Sequence, residues 1–182
     1  MKQTVQTPRD GRIRVVDVPR PSLRPGSLLV ATRFSLISAG TERTKIVTGE
    51  KNLLQKARAR PDLVKKVVDR ARVEGVRSAV GVARDRLNAL TAIGYSAAGV
   101  VLEVGDGVDG FAPGDPVACG GEGANHAEVL AVPRNLVAHV PEGVAFGDAA
   151  YATVGAIALH GVRQAEVGIG ECVGVIGLGL VG

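Results

Sequence analysis

Val173-Gly174-Val175-Ile176-Gly177-Leu178-Gly179-Leu180-Val181-Gly182 closes the chain. It reads as a buried strand running into G-x-G-x-x-G, with Gly168-Ile169-Gly170-Glu171 supplying the turn before it. In a dinucleotide-binding fold the first glycine makes a tight turn and the second admits backbone close to a pyrophosphate. The third lets the following helix pack on the strand. Gly177, Gly179 and Gly182 are therefore the candidate cofactor-binding residues. The helix itself, and the acidic residue expected about 20 residues later to hold a ribose, would fall past Gly182. The reading is thus of a cofactor domain interrupted at its first strand. The pattern is short and the chain contains 25 glycines, so its meaning depends on what precedes it.

A chain of 182 residues is long enough for one real core, or for a domain and part of another. Hydrophobic residues make up 46% and charged residues 22%, the balance of a soluble globular protein. Aromatics are 3% and Trp is absent, which argues against stacking platforms for nucleic-acid bases and for a core of Val, Leu, Ile and Ala. Cys119 and Cys172 have neither metal-ligand spacing nor a disulfide framework, so a reducing cytoplasm is expected. Cys172 reads as a small buried strand residue. The N-terminus lacks the apolar core of a signal peptide, and no run of roughly 18 apolar residues suggests a membrane span.

Residues 1 to about 49 and 93 to about 140 read as short strands broken by turns. Arg12 to Val18, Ser27 to Thr32, Gly99 to Gly105 and Ala127 to Val132 are strand candidates, and Phe111 to Pro116 is a tight turn feeding another. Strands at this spacing suggest a barrel or sandwich. Residues 50 to 92 differ in kind. Leu63, Val64, Val67, Val68 and Ala71 recur at helical spacing, and Val76, Val80, Ala83 and Leu87 form a second stripe. Positions 51 to 86 hold eleven Lys or Arg against four Asp or Glu, while the whole chain is only +4. Such basicity could serve a nucleic-acid, membrane-surface or acidic-ligand contact. The charges are scattered around the helices with no aromatic between them, which favours a solvated helical face. From Phe146 to Val162 a small-residue helix is expected, leading to the terminal strand.

Several motifs now converge. Ile37-Ser38-Ala39-Gly40-Thr41-Glu42, Gly94-Tyr95-Ser96-Ala97-Ala98-Gly99-Val100-Val101 and Gly107-Val108-Asp109-Gly110-Phe111-Ala112-Pro113-Gly114-Asp115-Pro116-Val117 occur in order before the terminal fingerprint. Together they resemble the medium-chain dehydrogenase/reductase superfamily over nearly the whole chain. The basic insertion and Gly94-Tyr95-Ser96 look closest to its bacterial bi-domain oxidoreductase branch. The resemblance implies an α+β, mainly β fold. Its parts are a GroES-like, partly open β-barrel with a helical insertion at about 50–92, plus the first strand of a truncated Rossmann domain. The expected boundary puts the catalytic domain at 1–145, with the linking helix and start of the cofactor domain at 146–182.

Departures from the family pattern shape the expected chemistry. Where zinc-dependent members carry C-G-[ST]-D, this chain has Ala39-Gly40-Thr41-Glu42; where they carry G-H-E, it has Gly94-Tyr95-Ser96. Where a further Cys often begins the linking helix, Ala152 or a neighbour stands. Tetrahedral zinc needs thiolate, imidazole or carboxylate ligands, so no metal site is expected. The resemblance implies NAD or NADP in the complete protein and carbonyl or alkene polarisation by hydrogen bonding alone. Ser38, Thr41, Glu42, Tyr95 and Ser96 match the family's active-site cleft. Thr41 matches a proton-relaying hydroxyl, and Tyr95 would donate a phenolic proton or cap the vacated pocket. Glu42 would act there or bond to turn backbone, and Thr153 loosely matches the region facing a nicotinamide. In Asn125-His126-Ala127-Glu128, His126 reads as a loop-to-strand hydrogen-bonding residue in preference to a general base. His160 suits the negative end of the linking helix.

Two functions follow. The first is the catalytic-domain part of a zinc-independent NAD(P)-dependent oxidoreductase acting on a small molecule, inactive alone, with no nucleic-acid or membrane partner. The second is a non-catalytic GroES-like module that binds a partner or forms a homo-oligomer.

Overall fold

The structure, a computed structural model, describes residues 1–7, 11–42 and 89–182. The helical insertion expected at about 50–92 lies outside the described residues as far as 88, and at its end Thr91–Ala92 form a short strand where helix was expected. The chain divides into two compact units. The first is Met1–Gln3, Asp17–Ser38 and Gly94–Gly182; the second is Thr4–Val16 and Ala39–Ile93.

The first unit is built on five antiparallel strands in the order β7-β3-β5-β6-β8. These are β3 (Ser27–Ser35), β5 (Ser96–Val104), β6 (Pro116–Gly120), β7 (Val129–Pro133) and β8 (Val137–His139). The two edge strands, β7 and β8, are joined by a single 3₁₀ turn at Arg134–Leu136. In a flat sheet those edges would stand about 19 Å apart, four strand spacings. The four peptide steps from Pro133 to Val137 reach about 14 Å at full extension, and less through a 3₁₀ turn. The sheet must therefore curl on itself, and the connection alone dictates a barrel.

Its interior is Leu28, Val30, Ala97, Val101, Val117, Cys119, Leu130, Val132 and Val137, joined by Ala124 and Ala127 from the loop before β7. The outer face is not left to water at the start of β5. Ala98 and Ala118 pack there beneath Phe146, Ala149 and Ala150. Both faces of β5 are thus covered, which explains why Ser96, Ala97, Ala98 and Gly99 are all small and all buried. The turn before β6 is closed by Asp115, whose carboxylate accepts the Ala112 N–H at 2.7 Å. His139 lies away from the strand ends of the candidate site, at the start of β6. Its ring stacks on Phe111 with centroids 4.3 Å apart, and its Nε2 donates to the Gly110 carbonyl at 2.7 Å.

The linking helix expected from Phe146 to Val162 is two helices, α1 (Phe146–Ala149) and α2 (Ala152–Gln164). At the break, the Ala150 carbonyl accepts the Ser96 hydroxyl at 2.6 Å. A side chain bonding into the helical ladder is a recognised cause of such interruptions. Of α2 only Val154 is buried, and Ile157, Leu159 and Val162 are exposed.

Residues 171–178 carry no regular secondary structure. A strand is defined by its ladder, and among the described residues none pairs with this segment. Val173, Val175, Ile176 and Leu178 are exposed accordingly. Cys172, expected as a buried strand residue, is exposed for the same reason.

The second unit contains β2 (Ile13–Asp17), most of β1 (Lys2–Gln6) and β4 (Thr91–Ala92), in the order β2-β1-β4. Val5 pairs with Ala92 and Gln6 with Thr91. Val5 and Ile93 are buried, and the buried Gln6 amide donates to the Gly11 carbonyl at 3.4 Å. Residues 39–42 form a helical turn.

Candidate active site

Antiparallel register gathers chemistry at one end of the barrel. Ser35, the last residue of β3, faces Ala97; Ser96, the first residue of β5, faces Gly120, the last residue of β6. The Leu36 N–H donates to the Ser96 carbonyl at 2.9 Å, extending the β3–β5 ladder to this end. The loop 121–128 returns here as well, because β7 begins at Val129 opposite Ala31. Two residues bind that loop to the first strand. Glu128 accepts the Lys2 N–H at 2.8 Å, and Asn125 Oδ1 accepts the Gln3 side-chain amide at 3.1 Å.

Tyr95 and Ser96 sit at the mouth of this end with opposite characters. Ser96 is 1% exposed, and its hydroxyl donates to the Ala150 carbonyl, locking the strand to the α1–α2 junction. That bond commits the hydroxyl to backbone at the junction. Tyr95 is half-buried, and its phenol makes no hydrogen bond among the described residues. Thr153, on the first turn of α2, directs its Oγ1 to the Cys119 carbonyl at 3.4 Å. The same hydroxyl lies over Gly120, where an added Cβ would approach it to 2.9 Å. Ser38 is buried just past the end of β3. In the second unit, Thr41 is exposed and Glu42 buried on the helical turn 39–42.

His126 and Ser35 add to this end what the sequence reading left out of the site. His126 Nδ1 lies 2.9 Å from Ser35 Oγ. The imidazole rests on Gly94, where a Cβ would meet Cε1, Nδ1 and the backbone N of His126 at 2.9 Å each. Gly94 also has φ +97°, which L side chains avoid. The available signal was a hydroxyl ending an apolar strand, paired with a glycine immediately before Tyr95.

Cys119 lies in the barrel wall, its thiol pushed up to about 12 by burial. A neutral buried thiol is inert, so it is no nucleophile. Among the described residues no three His, Cys, Asp or Glu side chains group as metal ligands would.

The fingerprint turn closes on itself. Gly177 has φ +96°, and a Cβ on Gly182 would collide with the Gly177 carbonyl. Gly177 thus takes a left-handed turn, and Gly182 comes close to the Gly177 carbonyl.

Three solved structures are similar to this chain in fold. The quinone oxidoreductase of Coxiella burnetii is 22% identical with a TM-score of 0.64, covering 93% of this chain and 46% of its own. The mycobacterial protein Rv1454c, determined with NADPH, is 22% identical with a TM-score of 0.60, covering 90% and 41%. The 2R,3R-butanediol dehydrogenase of Bacillus subtilis is 16% identical with a TM-score of 0.60, covering 90% and 47%. The chain therefore spans less than half the length of each. No family model matches the sequence, and no curated protein matches it. The chain thus has the fold seen in solved structures that include quinone oxidoreductases and an alcohol dehydrogenase superfamily protein.

Proposed function

We propose that this chain supplies the substrate-binding part of a zinc-independent, NAD(P)-dependent oxidoreductase that reduces a small carbonyl compound or activated alkene, or runs the reverse reaction. The observation that carries the proposal is Tyr95. A half-buried phenol with no hydrogen bond among the described residues stands at the barrel end where Ser35, His126, Gly94 and Ser96 meet. A phenol so placed is available to donate to an oxyanion as charge develops on it.

The glycine turn fits a nicotinamide dinucleotide. Gly179 would lie against the pyrophosphate, with no Cβ to hold it off, after the turn made by Gly177 and before Gly182, and Thr153 would face the nicotinamide side. Bound there, the cofactor supplies or accepts a hydride. The chain's own residues do the rest. Tyr95 would deliver a proton to the substrate oxygen, with Ser38 in the same unit; Thr41 as a relay and Glu42, both in the second unit, are candidates by the family resemblance alone. Ser96 keeps the α1–α2 junction seated through the Ala150 carbonyl. Zinc does not fit. Ala39, Tyr95 and Ala152 occupy the matched ligand positions, and alanine offers no donor. No step is routed through a metal.

As part of the same proposal the protein is assigned to the cytoplasm. Both thiols are free, and no described helix is long and apolar enough to cross a membrane. Exposed Ile157, Leu159 and Val162 on α2 favour a second reading, a module that binds a partner or a second copy without catalysis.

Calorimetric titration with NADH and NADPH separates the two. It is run on the 182-residue chain and on a version extended by a complete dinucleotide-binding domain. The oxidoreductase reading expects binding by the extended version alone. Equal tight binding by the 182-residue chain contradicts it.

A further inference from the structure

We infer that His126 is the positioning residue for Tyr95, acting through Ser35 and Gly94; the inference rests on the proposed role of Tyr95 at this end of the barrel. Two contacts and a backbone angle converge. His126 Nδ1 is 2.9 Å from Ser35 Oγ, which anchors the ring to the end of β3. The ring lies on the Cα of Gly94, close enough that a methyl group there would be 2.9 Å from Cε1 and Nδ1. Gly94 is the residue before Tyr95, and its φ of +97° sets the direction in which the chain delivers the phenol.

The Ser35–His126 bond has a property suited to this task. A serine hydroxyl both donates and accepts, so it pairs with Nδ1 in either neutral tautomer and in the imidazolium. Proton movement at the ring need not break the anchor. Ring and turn form one unit: His126 fills the space that the missing Gly94 side chain leaves, and Ser35 fixes how the ring fills it. Tyr95 follows on the next peptide, immediately before β5.

The chain offers a clean reporter. It contains two tyrosines, Tyr95 and Tyr151, and no tryptophan. Tyr151 is exposed, so Tyr151→Phe leaves Tyr95 as the sole tyrosine. The experiment records the ring resonances of ¹³C-labelled Tyr95 in the full chain carrying Tyr151→Phe, alone and combined with His126→Phe, His126→Asn or Ser35→Ala. Asparagine presents a polar atom near the Nδ1 position, whereas phenylalanine keeps the ring and loses the bond. Expected are a Tyr95 shift change beyond the line width for His126→Phe and for Ser35→Ala, and a resonance close to the parent for His126→Asn. A parent-like resonance in His126→Phe would mean ring packing alone suffices and would overturn the inference. So would an unmoved resonance in Ser35→Ala. Should a His126 variant lose its dispersed amide spectrum, Ser35→Ala, which removes only a hydroxyl, decides by itself. Failure of the catalytic reading is a separate event, seen as undiminished turnover in Tyr95→Phe, and leaves the ring measurement standing.

Discussion

Gly94 and Cys119 show how much of this protein is decided by single side chains, present or missing. Gly94→Ala meets two obstacles, a left-handed φ of +97° and the imidazole of His126 at 2.9 Å. A strained backbone of this kind costs on the order of 1–3 kcal/mol. Urea unfolding should therefore show a loss in that range, and a variant as stable as the parent would contradict the geometry. Cys119 makes a prediction about pH. Its folded thiol is raised to about 12 from an ordinary value of 9.0 because burial disfavours the thiolate. The unfolded chain loses this proton first as pH rises, so the stability it contributes is whole below about 9 and declines between about 9 and about 12. Alkylation of the native protein near neutral pH should accordingly label exposed Cys172 and spare Cys119, with both labelled after denaturation. Mass spectrometry after iodoacetamide reads the result directly, and rapid native labelling of Cys119 would refute its burial. Gly94 was quoted in the sequence only as part of a motif; nothing local reveals that a histidine 32 positions later lies on it.

Among the elements, short apolar runs bounded by turn residues made β2, β3, β5 and β7 legible, and the Asp115 turn announced β6. Thr91–Ala92 and Val137–His139 were not legible, being two and three residues long and strands only by virtue of their partners. The same logic works in reverse at 173–178, where a β-branched run has strand propensity but no partner among the described residues. The small-residue stretch from Phe146 was read as one helix because its interruption originates in β5, from the Ser96 hydroxyl. That bond predicts a measurable role. Ser96→Ala leaves the Ala150 carbonyl without it in a buried setting and should cost about 1–3 kcal/mol. Amide exchange should accelerate across 146–154 more than across β7. Uniform exchange in the variant would show that Ser96 does not hold the junction. In the barrel interior Leu28 is fully buried, and Leu28→Ala should cost about 2–5 kcal/mol by denaturant titration. A much smaller loss would mean that the interior is not packed around Leu28.

The whole molecule joins a barrel whose curl follows from the short β7–β8 connection to a glycine turn in which Gly177 holds a left-handed φ. Fold was legible because motif order, turn chemistry and strand spacing all pointed the same way. The site was legible in part. Tyr95 and Ser96 were candidates by motif position and Thr153 by a looser match, but Ser35 and His126 meet only because the strand register brings them to one end. The central claim is that this end polarises a substrate oxygen by hydrogen bonding, with Tyr95 as donor and no metal. Nicotinamide oxidation tests it most directly. The assay uses a version extended by a complete dinucleotide-binding domain, exhaustively chelated, with a panel of quinones, enones and aldehydes, comparing parent with Tyr95→Phe. The account predicts turnover that survives chelation and falls about 10²–10⁴-fold in Tyr95→Phe. Turnover abolished by chelation and restored by zinc, or unchanged in Tyr95→Phe, would contradict it.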